Sequence, residues 1–236
     1  EGDEFYYSDL VANDLKTLHE KYSITSLDLL NNLDDVIMSM SEPMFSQDSS
    51  AFYLLAQNVS KSAKVVLSGQ GADEVFGGYF WYEKIMKEKQ LSNIDTLTKY
   101  YFDRSYENYK QIVHSNYISE NYVSNDIESR LKQMDQSLSI LDKVFRLELS
   151  MFIIDDPVKR VDNMTMSHSL EARVPFLDID LISFMLSVSA EEKIENGEKC
   201  LLKEISKKYL SNKIINREKF YFPVPPLKII KDKFFD

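Results

Sequence analysis

The segment AKVVLSGQGADEVFGGY, residues 63–79, narrows the possible folds more than any other part of this chain. Its first half is a short, β-branched apolar run ending in Ser-Gly, the pattern of a buried parallel strand. The preceding SSAFYLLAQNVSKS reads as a helix opened by a serine cap. Four of the chain's six glycines then follow, at 69, 71, 77 and 78, beside Asp73 and Glu74. Helix, strand and glycine loop in succession predict an α/β layer whose functional edge lies at the carboxyl end of the strand.

The loop chemistry follows from its residue types. Without a Cβ, Gly69 and Gly71 let backbone amides come close to a ligand. Ser68 can donate a hydroxyl hydrogen bond to a phosphate, sugar or base. Asp73 offers a hard oxygen suited to magnesium, which combines one or two carboxylates with substrate phosphates. Glu74 is expected to bond the backbone or the following helix, and Gly77-Gly78 to break the helix between. A glycine-rich turn with an acidic cap satisfies the same residues. No Gly-Lys-Ser or Gly-Lys-Thr follows, so this is not a P-loop.

Elsewhere the chain reads mainly as helix. Residues 5–22 carry Leu10, Val11, Leu15 and Leu18 at helical spacing. ITSLDLL reads as a strand, and NNLDDVIMSM as a helix halted by Glu42-Pro43. Residues 80–155 contain neither glycine nor proline and predict successive helices. Further helices are expected from about Ile179 to Val188 and over CLLKEISKKYL, before a proline-bearing tail. Met164 and Met166 read as core, His168 as a structural hydrogen-bonding residue, and His19 and His114 as surface.

Composition excludes several classes. The 236 residues are 44% apolar with 14 Tyr and 14 Phe, against disorder. One cysteine, Cys200, rules out a disulfide framework and fits a reducing, cytoplasmic setting. No apolar run approaches the roughly 20 residues of a membrane span. The net charge of −10 argues against nucleic acid as a partner. Charge is uneven, however: Lys199 to Lys233 holds ten basic and three acidic residues, a balance of +7. That is either a solvated basic face or a segment facing phosphate. The chain begins Glu-Gly-Asp-Glu without methionine, which suggests a boundary inside a longer polypeptide.

LSGQGADEVFGGY closely resembles the second nucleotide-site motif in the synthetase domain of the asparagine synthetase family. Three further stretches resemble that family in its own order. They are EPMFSQDSSAFYLLAQ, then VDNMTMSHSLEARVPFLD, then GEKCLLKEISKKYLSNKIINREKFYFPVP. Together they reach from about residue 5 to 228. The resemblance implies an α/β fold with a partial parallel sheet of the adenine-nucleotide α-hydrolase or ATP-pyrophosphatase type and a mostly helical carboxyl-terminal elaboration. It divides residues 1–236 into an α/β part (1–79), a helical part (80–155) and a helical, basic closing part (156–236).

It also implies a reaction. ATP activates a carboxylate, in asparagine synthetase the aspartate side chain, as an acyl-adenylate with loss of pyrophosphate. Ammonia released from glutamine by an N-terminal domain then attacks. ATP and Mg2+ are the implied cofactors, and a homodimer is left open. Ser68, Gly69 and Gln70 would contact ATP, and Asp73 would share magnesium with an upstream aspartate. Lys219 would reach the phosphates and stabilise charge on the leaving pyrophosphate, which favours the phosphate-facing reading of the basic segment. Gln70 stands at a catalytic position where relatives often carry an acid; an amide can hydrogen-bond but cannot act as a base. Asp155 and Asp156 would face the substrate's amino group or orient the segment before Pro157. Glu171 and Arg173 read as an ion pair locking a loop against the sheet.

Two features of the resembling family are missing from these residues: the Ser-Gly-Gly-x-Asp-Ser loop and the N-terminal cysteine nucleophile. The expectation is a fragment without the glutaminase domain, inactive alone. Alternatives are a non-catalytic partner or scaffold of the same descent, a nucleotide-binding module with other chemistry, and amidation of a different carboxylate.

Overall fold

A computed structural model describes residues 5–43, 46 and 48–219. Helices α1 (Phe5–Leu15), α2 (Ser26–Asn31), α3 (Leu33–Met38) and α4 (Ser49–Val59) lead to strand β1 (Val65–Leu67). Then come α5 (Ala72–Phe76), α6 (Trp81–Lys87), α7 (Asn93–Tyr100), α8 (Tyr106–Ile112), α9 (Tyr122–Gln133) and α10 (Ile140–Leu147). Helix α11 (Lys159–Met166) precedes strand β2 (Glu171–Arg173), followed by α12 (Ile179–Ser187), α13 (Ala190–Ile194), α14 (Cys200–Ser206) and α15 (Asn212–Ile215). The described residues fall into two units. One is drawn from 1–70, 152–175 and 202–236, the other from Gly71–Met151 and Phe176–Leu201.

In the first unit α4 packs on α11. Val36, Tyr53, Leu54 and Met164 form a core there, with Ile24, Leu29, Met40 and Phe52 against it. The strands β1 and β2 pair in parallel, Val66 opposite Ala172. Bonds from Glu171 N to Lys64 O (2.9 Å) and from Ser68 N to Arg173 O (2.8 Å) extend the ladder at both ends. The strand is real and parallel, but it is not the buried strand expected, since Leu67 is 71% exposed. Among the described residues only one ladder forms, so β1 lacks the second neighbour and two-sided cover that bury strands of larger parallel sheets.

Other expectations are corrected here. ITSLDLL is not a strand, because Thr25 and Asp28 form a capping box that starts α2. Asp28 N donates to Thr25 Oγ1 (3.2 Å) and Thr25 N to Asp28 Oδ2 (2.9 Å). Helix α4 is entered through Asp48 rather than a serine cap, and Ser49 is already helical and buried. Met164 is core, whereas Met166 is half-exposed.

Residues 80–155 form the successive helices expected, those up to Met151 lying in the second unit. Serines restart them: Ser92, Ser105 and Ser139 accept from the backbone N–H groups of Asp95, Asn108 and Asp142 at the starts of α7, α8 and α10. Helix α10 is central. Its Leu141, Val144, Phe145 and Leu147 are buried and face α6, α12 and α13. Helix α7 packs on α6 and α9, burying Leu97, Ile127 and Leu131. Beyond Leu147 the backbone widens into π-helical turns over Glu148–Phe152 and Ile154–Val158, the latter passing through Pro157. No described helix is long and apolar enough to cross a membrane.

Candidate functional site

Within the first unit, a cavity of about 250 Å3 lies at the carboxyl end of β1. Its walls are mostly apolar (Phe52, Leu55 and Val59 of α4, Val161 of α11, Ala172 of β2), and Ser68, Gly69 and Thr165 also line it. Apolar walls with a few polar groups are typical of a small-molecule site. A Cβ placed on Gly69 would meet nothing within 4 Å. Protein packing therefore does not require glycine there. Gln70 follows, half-buried in the turn that ends this stretch. Lys219 is exposed beyond α15 and does not line the cavity.

Within the second unit, Asp73 stands in the first turn of α5, whose cap residue Gly71 has φ +89°. That left-handed conformation disfavours any side chain, and a Cβ would also strike Leu177. Lys199 Nζ lies 2.9 Å from Asp73 Oδ2, and both side chains are about three-quarters buried, with exposures of 25% and 23%. Gly78 provides the floor of this pair: a Cβ there would overlap the Asp73 carboxylate and Lys199 Cε.

Glu74 points elsewhere. It is buried and accepts from Tyr79 Oη at 2.7 Å, a partner the sequence reading did not foresee. Burial raises its carboxyl above the ordinary value, against the Tyr79 hydrogen bond. Nearby, Glu148 is 1% exposed and accepts from Tyr82 Oη at 2.5 Å. Burial, opposed by the Tyr82 bond and reinforced by Glu74, pushes the Glu148 carboxyl up to about 8. Glu148 and Tyr82 are 66 residues apart, so no sequence pattern joins them.

The fit to magnesium can be judged from these donors. Asp73 presents one partly accessible carboxylate while Glu74 is turned inward. No cluster of three or more His, Cys, Asp or Glu exists among the described residues. One carboxylate is what magnesium needs when phosphates complete its shell, so Asp73 fits such an ion bound together with a polyphosphate. A second cavity, about 280 Å3, lies in the second unit among Met86, Glu88, Lys89, Ser139 and Ile140. It holds none of the residues singled out in the sequence.

The remaining predicted residues are in ion pairs. Asp156 pairs with Arg160 (2.8 Å), and Asp155 lies 3.7 Å from Lys159, which also pairs with Glu42. Glu171 and Arg173, alternate residues on one face of β2, pair at 2.8 Å and are largely exposed. The Arg173 backbone also accepts from Ser68, so the strand carrying this pair fixes the start of the glycine loop. His168 packs edge-on against Tyr53, 4.4 Å between centroids; burial lowers its pKa, and Nε2 has no partner among the described residues. Cys200 Sγ donates to the backbone carbonyls of Lys193 and Glu192.

A family model described as asparagine synthase matches residues 1–234. The chain belongs to the asparagine synthase family. It is similar to glutamine-hydrolyzing asparagine synthetase 1 of Bacillus subtilis (strain 168), 26% identical over 234 residues that cover 86% of this chain and 37% of that protein. Glutamine-hydrolyzing asparagine synthetase 3 of the same strain is 27% identical over 88% of this chain and 34% of its own length. A probable glutamine-hydrolyzing asparagine synthetase of Schizosaccharomyces pombe is 27% identical over 80% of the chain and 26% of its own length. The chain thus spans about a third of the length of the first two relatives. Ser68, Asp73, Lys199 and Lys219 all lie within the residues matched by the asparagine synthase model.

Proposed function

We propose that this chain is part of an ATP-dependent amide-forming synthetase. It adenylates a carboxylate, the aspartate side chain as first choice, with release of pyrophosphate. Ammonia from glutamine hydrolysis in a separate domain then gives asparagine and AMP. The single observation that carries the reading is the apolar cavity at the end of β1, with Ser68 and Gly69 in its wall. Glycine at 69 has no packing reason. Close approach of a bound nucleotide gives it one.

Each residue then has a task. The apolar walls receive the flat base and exclude water from it. Ser68 donates its hydroxyl to the base or ribose, and the backbone at Gly69 bonds the adenylate portion. Asp73 holds magnesium, which, when bound, draws charge from the phosphates. Lys219 places an ammonium against the leaving pyrophosphate, where charge grows during adenylation and a positioned cation lowers the barrier most. Gln70 orients the reacting carboxylate by hydrogen bonds and takes no proton, so the proton of the attacking ammonia leaves through another base. Asp155 and Asp156, each next to a cation, face the substrate's amino group. The sheet belongs to the ATP-pyrophosphatase type, and the enzyme works in the cytoplasm. Gln70 also favours a second reading, a non-catalytic relative that binds nucleotide without turnover.

The test is nucleotide binding and partial reaction in the intact protein. Calorimetry with AMP should show binding that Gly69→Val abolishes without altering the melting temperature. Aspartate-dependent exchange of labelled pyrophosphate into ATP should be present and lost in Lys219→Ala. Binding unaffected by Gly69→Val would overturn the site; binding without exchange would select the non-catalytic reading.

A further inference from the structure

The Asp73–Lys199 pair is not a casual surface contact. Three features build it. Lys199 has a backbone φ of +52°, the left-handed region that non-glycine residues seldom occupy. That backbone is held by a hydrogen bond from Lys199 N to Gly77 O, 3.0 Å. The side chain then crosses bare backbone at Gly78, where any Cβ would overlap both the carboxylate and the lysine stem. An uncommon backbone conformation, a fixed amide and an enforced glycine all serve to bring one ammonium within 2.9 Å of one carboxylate oxygen. Surface ion pairs made by chance need none of these.

We propose that Lys199 is a positioning residue that couples metal binding to polyphosphate binding at Asp73. The inference rests on the reading of Asp73 as a magnesium ligand. A magnesium–oxygen bond is about 2.1 Å, and the ammonium is 2.9 Å from the same carboxylate. Two cations that close on one anionic group repel strongly in a partly buried site. A divalent ion arriving alone must therefore displace Lys199 from its carboxylate, and the displaced ammonium, itself three-quarters buried, has lost its counter-ion. A metal arriving with a polyphosphate brings a new anion. The flexible lysine stem needs only to swing a few ångströms to meet it. Lys199 thus penalises the bare ion and rewards the ion–phosphate complex. Unproductive metal binding is suppressed, and the carboxylate stays neutralised and oriented until nucleotide arrives.

The experiment uses the intact protein, Mn2+ as a paramagnetic stand-in for magnesium, and inorganic pyrophosphate as the anion. Electron paramagnetic resonance gives the Mn2+ affinity with and without saturating pyrophosphate. The wild type should show a coupling of about tenfold or more, within the usual range for linked sites. Lys199→Met should bind Mn2+ alone severalfold more tightly, bind the pyrophosphate complex more weakly, and reduce the coupling towards unity. Lys199→Arg, which keeps the charge, should retain most of it. Thermal unfolding of each variant checks that the fold is intact. If Asp73→Asn leaves Mn2+ binding unchanged, the metal reading of Asp73 fails, and this inference with it. If Asp73→Asn abolishes binding while Lys199→Met leaves the coupling at its wild-type value, the metal reading stands and the role given to Lys199 is overturned.

Discussion

Replacing Glu148 by glutamine should remove a large part of the pH dependence of stability. Glu148 is buried in the second unit, and its carboxyl is raised from 4.5 to about 8, chiefly by burial. In the unfolded chain it titrates near 4.5, so between about pH 4.5 and 8 the folded protein holds a proton that the unfolded chain has lost. Stability is therefore complete below pH 4.5 and falls as pH rises through 8. At 1.36 kcal/mol for each pH unit between the two values, the loss is on the order of 4–5 kcal/mol, comparable with the whole stability of a marginal domain. Tyr82, Tyr79, Tyr101, Glu74 and Asp73 are the neighbouring groups that set the field. Glu74, also raised, acts in the same direction and more weakly.

Glutamine keeps the shape and the acceptor for Tyr82 but has no proton to lose. Urea unfolding at pH values from 5 to 9, followed by fluorescence of the only tryptophan, Trp81, reads the same unit. The wild-type curve should decline between pH 5 and 8 and level off above it, and the Glu148→Gln curve should be flatter by several kcal/mol over the declining span. The comparison uses slopes, because burying an amide in place of the carboxyl changes stability by a pH-independent amount. Parallel curves for the two proteins would refute the claim that Glu148 is a protonated acid in the fold.

Phe145→Ala should cost about 3–5 kcal/mol by denaturant titration, since the ring is wholly buried on α10 beneath Gly77. Lys193 is buried over the Phe145 ring, and burial lowers its amine to about 8. The unfolded chain binds more protons between pH 8 and 10.5, so stability rises with pH across that window; Lys193→Met should raise the melting temperature at pH 7 and remove that rise. Gly78→Ala should destabilise the second unit and weaken Mn2+ binding together, measured by unfolding and paramagnetic resonance. Gly69→Ala should leave stability within about 0.5 kcal/mol of wild type, as expected where a new side chain touches nothing.

Local signals explain which parts of the fold were readable. A strand ending in Ser-Gly and a stretch of 76 residues (80–155) free of glycine and proline are both short-range patterns, and β1 and α6–α10 follow from them. ITSLDLL failed because its two isoleucine and threonine positions suggested β structure, while Thr25 and Asp28, three apart, decide the matter as a helix cap. Glu148–Tyr82 and Asp73–Lys199 were illegible for a different reason: each joins groups separated by more than sixty residues, and neither residue type predicts its partner. Glu148 in particular sits in an unremarkable RLELSMF run, and only its burial marks it.

The glycines of the loop show how structure separates requirements that the sequence presents as one cluster. Read from sequence, Gly69 and Gly71 served backbone approach to a ligand, and Gly77-Gly78 broke the helix between. Three have internal reasons: Gly71 and Gly77 adopt positive φ with side chains of Leu177 and Ile194 in the way, and Gly78 lies beneath the Asp73–Lys199 pair. Substituting those three disturbs the fold whatever they bind. Gly69 alone has open space around it and faces the apolar cavity. The nucleotide reading therefore stands on Gly69 alone rather than on Gly69 and Gly71, and a substitution there separates binding from folding as none of the others can.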